Sequence, residues 1–151
     1  MPPRFGSCWL AALALFLTGF VGFAHPEAAS AGTPTRSEKI LIRAINNARG
    51  SHGVRSLGVG STIQTYSHRW AAYLLSHNAF FHGSLASGTS ENIAWVTCRD
   101  DWQKTIVRMW LNSSAHRSAL LDRSARKLGV GVATGRWSGW SCVRMAVARF
   151  R

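Results

Sequence analysis

The side chains best suited to catalysis are histidines and serines scattered along the 151-residue chain. Ser113 and Ser114 would place a hydroxyl nucleophile close to a general base, His116, but serine hydrolysis also needs an acid that orients the imidazole. Helix capping is the other role open to either serine. The sequence contains no H-x-x-x-H or H-E-x-x-H string, so it carries no local zinc motif.

Arginine dominates the charge of the chain. The formal net charge is +12, from 18 Lys and Arg against 6 Asp and Glu, and 15 of those 18 are Arg. A charge of this size predicts attraction to anions such as cell-wall polymers, anionic membranes or nucleic acid, without choosing among them. Nucleic acid is the least expected partner, because the sequence has no nucleic-acid-binding motif and begins with an export signal.

The N-terminal segment has the features of a signal peptide. Arg4 precedes an apolar run over residues 9–23, which is short for a membrane span of about 20 residues and suits a signal h-region. Ala29-Ser30-Ala31 forms an A-x-A site, so we predict cleavage after Ala31, with cleavage after Ala24 as the alternative. An uncleaved anchor is the competing interpretation, but no stop-transfer charges follow the apolar run.

These features predict an exported protein with one domain and no transmembrane segment in the mature chain. The expected division is a signal peptide over 1–31, a short linker over 32–36 and a single domain over 37–151. Cys98 and Cys142 remain after signal removal, and an even pair in an oxidising compartment predicts a disulfide. Two buried free thiols are the alternative.

Apolar residues at helical spacing predict four helices. The first begins at Ser37 and ends near Gly50, and the second runs from Ser61 to about Ala79. A third begins at Asp100 or Asp101, and a shorter fourth at Ser113 or Ser114. The predicted core-facing positions of the second helix are Ile63, Tyr66, Trp70, Tyr73, Leu74 and His77, and those of the third are Trp102, Ile106, Met109 and Trp110.

The apolar period changes to two near the C-terminus, which predicts two strands over 128–133 and 143–148. Both faces of these strands are apolar or small, so both need cover, and Gly129 and Gly131 permit close packing. The predicted fold is α+β, a three-layer α–β–α sandwich of about four helices around a small antiparallel sheet. Trp95, Trp137 and Trp140 fall in or beside predicted loops, where they either stack on planar ligands such as sugars or pack as a satellite core.

Five strings together resemble the CAP superfamily, which includes cysteine-rich secretory proteins, insect venom allergens, plant pathogenesis-related proteins and short bacterial members. The strings are LIRAINNARGSHGV at 41–54, FFH at 80–82, SENIA at 90–94, MWLNSSAHRSALL at 109–121 and LGVGVA at 128–133. They occur in the order of the superfamily and span nearly the whole predicted domain. The resemblance implies the same sandwich fold and a secreted protein.

The resemblance also implies a central cavity with two histidines and two acidic residues. The first His matches His82, the first Glu matches Glu91 and the second His matches His116, whereas the second acidic position falls on Ser113. His82 and His116 are therefore candidate metal ligands, with zinc as the candidate cofactor, but the missing acid weakens a full metal site. A hydrogen-bond network that joins three loops is the structural alternative.

The resemblance implies lipid binding, defence and secretion. It does not imply a particular enzymatic reaction. We expect a monomeric, non-enzymatic module that binds an envelope or extracellular ligand (a lipid, glycan or other anion) in a groove around His82, Glu91 and His116. The expected partners are an anionic envelope polymer or lipid surface and a small lipid-like ligand, with no catalytic residue assigned. The alternative is a metal-dependent hydrolase of a peptide, lipid or cell-wall component that uses the same residues.

Overall fold

A computed structural model describes residues 32–151 of the chain. The predicted signal peptide and both of its predicted cleavage sites lie outside the described residues. Within 32–151, no helix is both long enough and apolar enough to cross a lipid bilayer.

The described part of the chain folds into four helices and four strands. In chain order they are α1 Arg36–Ser51, β1 Gly58–Val59, α2 Ser61–Ser76, β2 Ser90–Thr97, α3 Trp102–Asn112, α4 Ser114–Leu120, β3 Lys127–Trp137 and β4 Trp140–Phe150.

The four strands form one sheet in the order β1-β3-β4-β2. The two predicted strands are confirmed as the antiparallel hairpin β3–β4, and β2 pairs antiparallel with the other edge of β4. The sequence analysis predicted neither β2 nor β1, and β1 adds a parallel pairing of two residues to an otherwise antiparallel sheet. Register places Glu91 of β2 directly opposite Arg149 of β4.

Helices cover both faces of the sheet, which confirms the predicted three-layer α–β–α sandwich. Alternate residues of β4 point to opposite faces, because side chains alternate along a strand. Met145 and Val147 pack against α2, whereas Ala146 and Ala148 belong to the larger core formed with α1, α3 and α4.

Helix α2 lies unusually close to β3, at two glycines. A Cβ atom added at Gly131 would lie 1.9 Å from the carbonyl oxygen of Ser67, and one at Gly129 would lie 2.4 Å from that of Ile63. No side chain fits between the two backbones, as the sequence analysis predicted for glycines inside a strand.

Several predicted helix positions are wrong in ways that affect the site. Helix α1 begins at Arg36, one residue before the predicted Ser37, and it is capped by Thr35, whose hydroxyl accepts from the N–H of Glu38 in a capping box. Tyr66 and Tyr73 were predicted to face the core, but 56% and 40% of their surface is exposed, and Met109 is also exposed. The buried positions of α2 include the polar residues Gln64 and Ser67 instead.

The predicted disulfide between Cys98 and Cys142 is confirmed. Cys98 follows the end of β2 and Cys142 lies near the start of β4, with the two Cα atoms 5.5 Å apart. The N–H of Cys98 also donates to the carbonyl of Cys142. The bridge therefore joins two neighbouring strands at the end of the sheet opposite Glu91 and Arg149.

Candidate functional site

Glu91 is the fixed point of the candidate site, because its side chain is fully buried and both carboxylate oxygens have donors. Oε1 accepts from the N–H of Gly83 at 3.0 Å and lies 3.0 Å from Nδ1 of His82. Oε2 accepts from Nε of Arg149 at 2.8 Å. A buried carboxylate is stable only with such partners, so Glu91 ties the loop 77–89 to β2 and β4.

His82 is oriented by Glu91 but is not enclosed. Its side chain is 53% exposed. Because the carboxylate of Glu91 can only accept, Nδ1 of His82 is the donor in this contact.

His116 lies on α4, half-buried, and is tied to β2 through its backbone, since Asn92 donates its side-chain N–H to the carbonyl of His116 at 2.9 Å. Burial lowers the pKa of His116 below its ordinary value of 6.5, and the charge of His82 lowers it further. A pKa below 6.5 favours the neutral imidazole of His116 at neutral pH.

Ser113 is the N-cap residue of α4, three positions before His116, but its hydroxyl makes no capping hydrogen bond. Its carbonyl accepts from the N–H of Arg117 at 2.8 Å. The structure therefore places Ser113 at the helix end that carries His116, with no described contact to Glu91 or His82.

These donors do not amount to a zinc ligand set. Among residues 32–151, no three His, Cys, Asp or Glu side chains converge on a point where a metal ion would fit. His82 and His116 offer two imidazoles, Ser113 offers a hydroxyl, and Glu91 is held by Arg149. A protein zinc site normally has three or four protein ligands.

A groove opens beside this cluster, between α2 and the loop 77–89, with a volume of about 480 Å³. His82 and Arg149, which both contact Glu91, line it together with the exposed Tyr66. It adjoins a second hollow of about 410 Å³ that shares Tyr66, Ser84 and Arg149.

Aromatic side chains form one wall of this groove. Trp70 stacks on Tyr73 with ring centroids 5.0 Å apart, and Tyr73 stacks on His77 at 4.0 Å. Phe81 meets Trp70 edge-on at 5.3 Å. Trp70 and Tyr73 were predicted to face the core of the domain, although an exposed cluster of aromatic side chains is also typical of a binding surface.

Trp95, Trp137 and Trp140 pack against one another and not around the groove. Trp95 lies 5.0 Å from Trp137 and 6.1 Å from Trp140, measured between ring centroids. All three lie in strands and not in loops, so the structure shows the satellite packing that the sequence analysis considered.

A separate cavity of about 570 Å³ lies between α1 and α3. Its apolar lining includes Ile40 and Val107, and its charged lining consists of Arg43, Lys104 and Arg108. It shares no lining residue with the groove at His82.

The fold and the sequence agree with one protein family. The profile of the cysteine-rich secretory protein family, CAP, matches residues 42–143, which is more than half of the chain. The chain belongs to the CAP family. A search of curated protein sequences finds no significant match.

Solved structures with the same fold come from distant CAP-type proteins. An outer surface protein from Borrelia burgdorferi is 18% identical with a TM-score of 0.55, over 78% of this chain and 94% of that one. An extracellular SCP-domain protein from Bacillus anthracis is 19% identical with a TM-score of 0.58, over 80% of this chain and 44% of that one. MpPR-1i is 19% identical with a TM-score of 0.58, over 78% of this chain and 88% of that one. At these identities the likeness establishes the fold of this CAP domain alone.

Proposed function

We propose that this protein is a secreted, non-enzymatic CAP module that binds an anionic ligand of the envelope or the extracellular space in the groove beside His82, Glu91 and His116. The observation that carries the proposal is the state of Glu91. Both of its oxygens hold neighbouring groups in place, so its carboxylate acts as an anchor. What the site offers a ligand is the exposed imidazole of His82 and the guanidinium of Arg149.

The charge of the domain supports an anionic ligand. Arg4 and Glu27 are the only Arg, Lys, Asp or Glu residues in 1–31, and their charges cancel, so residues 32–151 keep the full net charge of +12. Long-range attraction by such a charge is screened over a Debye length of about 8 Å at physiological salt. Binding should therefore weaken as salt is added, because the long-range attraction between the domain and an anionic ligand is screened.

Export is supported by three independent features. The N-terminal segment has the composition of a signal peptide, the domain contains a disulfide, and disulfides persist mainly in oxidising compartments. Two of the solved relatives are described as an outer surface protein and an extracellular protein. N-terminal sequencing of the exported protein should find a start at or near Gly32, and a start at Met1 in membrane fractions would contradict a released protein.

The alternative proposal is a metal-dependent hydrolase that uses the same residues. The lowered pKa of His116 favours it, because a neutral imidazole can ligate a metal or accept a proton. The engagement of Glu91 with Arg149 weighs against it, because a carboxylate paired with an arginine is a poor general base.

Binding to a purified cell-wall preparation, measured by co-sedimentation at about 0.15 M and 1 M NaCl, tests the proposal. We expect His82→Ala to weaken binding at least threefold (~0.7 kcal/mol). His52→Ala is the matched control, since His52 is exposed at the end of α1, away from the groove. Equal binding by the two variants, or hydrolysis of the wall by the protein, would overturn the proposal.

A further inference from the structure

We infer that the groove between α2 and the loop 77–89 binds an acidic saccharide, with the sugar ring against Tyr66 and its anionic group on Arg149. This inference names the ligand class of the site described above and rests on the proposed function. It is carried by the side chains that line the groove and by the donors they leave without partners.

Arg149 is a nearly buried cation with unused donors. Its side chain is 9% exposed, and its Nε is spent on Glu91. Neither its Nη1 nor its Nη2 forms a hydrogen bond with a described residue, although a guanidinium has five N–H donors. Arg149 lines both hollows of the groove, and its planar end fits two oxygens of a carboxylate or phosphate.

A second donor without a partner lies beside it. Nε1 of Trp70 is buried and hydrogen-bonds to no described atom, whereas buried tryptophan N–H groups usually find an acceptor. A Cβ added at Gly83 would lie 2.6 Å from Nη2 of Arg149 and 3.2 Å from Nε1 of Trp70. Both donors therefore lie close to the backbone of Gly83, at a point too tight for a side chain.

Tyr66 supplies the surface for a sugar ring. It is 56% exposed, lines both hollows and forms no aromatic pair with a described residue. Tyr73, by contrast, is already stacked between Trp70 and His77. Tyrosine offers a large, rigid surface that is apolar on its face and polar at its hydroxyl, which suits the face and the hydroxyls of a pyranose.

Charge and depth favour an acidic saccharide over a membrane surface. The charged residues that line the two hollows are Arg69, Arg149 and Arg151, with no Asp or Glu among the lining residues. Arg149 lines the groove and its side chain is nine-tenths buried, which favours a ligand that enters the groove over a flat layer of lipid headgroups. The two hollows, about 480 and 410 Å³, fall in the range of small-molecule sites, about 300–1,000 Å³.

The test is an NMR titration of the exported, oxidised protein with three probes: a trimer of galacturonic acid, its methyl ester and acetate. The trimer should shift the indole N–H resonance of Trp70, whereas the uncharged ester and the anion without a ring should bind at least tenfold more weakly. Tyr66→Ala should raise the dissociation constant for the trimer roughly threefold to tenfold, and Tyr66→Phe should change it by less than about twofold.

Two further variants locate the anion. Arg149→Lys keeps the charge but loses the planar guanidinium that can donate two parallel hydrogen bonds, so we expect about tenfold weaker binding of the trimer. Arg43→Gln, in the cavity between α1 and α3, should leave it unchanged. If Arg149→Lys fails to fold, Gly83→Ala serves instead, because its Cβ displaces the Arg149 end from the groove.

The inference is overturned if the ester or acetate binds as well as the trimer, if Tyr66→Ala binds normally, or if Tyr66→Ala lowers binding to anionic vesicles and not to the trimer. Binding to cell-wall material that depends on His82 but is accompanied by no trimer binding would refute the saccharide inference alone. Loss of His82-dependent wall binding would refute the proposed function itself.

Discussion

Arg149 donates its Nε–H to Oε2 of Glu91 at 2.8 Å, and the two residues are directly opposite each other on β4 and β2. The pair thus depends on the register of the sheet, and it holds Arg149 in the lining of the groove. The same carboxylate holds His82 and the backbone of Gly83, so one buried charge organises a strand pair and a loop.

Removing the charge of Glu91 should destabilise the protein. Glu91→Gln leaves a nearly buried Arg149 without its counter-ion, and we expect a loss of about 3 kcal/mol in the free energy of unfolding. Chemical denaturation measures it. Asp101→Asn is the matched control, because Asp101 pairs with Arg99 on the surface and exposed pairs contribute little. Equal losses in the two variants would show that the buried pair has no special structural role.

The close approach of α2 to β3 gives a second prediction. Gly131→Ala would drive a Cβ atom into the carbonyl of Ser67, so the helix must move from the sheet, at an expected cost of about 3 kcal/mol. Gly50→Ala is the control, since a Cβ at Gly50 meets nothing within 4 Å and alanine is favoured in a helix. Thermal or denaturant unfolding of both variants measures the difference, and a neutral Gly131→Ala would contradict the packing described.

Stability should fall as the solution is acidified, in part through His116. Burial and the charge of His82 lower the pKa of His116 in the folded protein, so the unfolded chain binds a proton more readily. The loss of stability through His116 is absent above the pKa of the unfolded chain, near 6.5. It grows as the pH falls below that value, because protonation then favours the unfolded chain. His116→Gln should therefore flatten the decline in unfolding free energy between about pH 7.5 and 5, whereas His52→Gln should not. The reverse pattern would contradict the burial of His116.

The fold was predictable because its main signals are local. Local periodicity indicates which face an element buries, as in the helical spacing of Leu41 and Ile45 and the alternation over 128–133 and 143–148. The five strings indicated the order of the elements. The strand over 90–97 was not predicted, because most of its residues are buried on both faces of the sheet, so no clear alternation marks it.

The site was only partly predictable, because its decisive contacts join distant residues. Nothing local distinguishes Arg149 from the other 14 arginines, and its pairing with Glu91 follows from a strand register that the sequence does not show. Tyr66 and Tyr73 repeat at the same spacing as core residues, so periodicity could not tell an exposed aromatic stripe from a buried one. Glu38 also makes contacts that the sequence does not show, because it is fully buried and contacts Gln64, His68 and Val132.

Ser113 offers a way to test the missing acidic position. If Ser113 occupies the second acidic position that the resemblance implies, Ser113→Glu adds an anionic ligand beside His116. Zinc should then bind at least tenfold more tightly, since even partners outside the ligand set typically change metal affinity by about that factor. Ser114→Glu, one residue further along α4 and exposed, is the matched control. Calorimetric titration with zinc measures both. An unchanged affinity in Ser113→Glu would show that this residue does not occupy the fourth position.

The central claim is that the groove binds its ligand without a metal. Its most direct test is the affinity of the exported protein for a cell-wall preparation before and after treatment with a chelator, with the metal content measured by elemental analysis on the same samples. The account predicts less than one zinc per chain and the same dissociation constant in both states. One zinc per chain, with wall binding or hydrolysis that disappears on chelation and in His82→Ala, would contradict it.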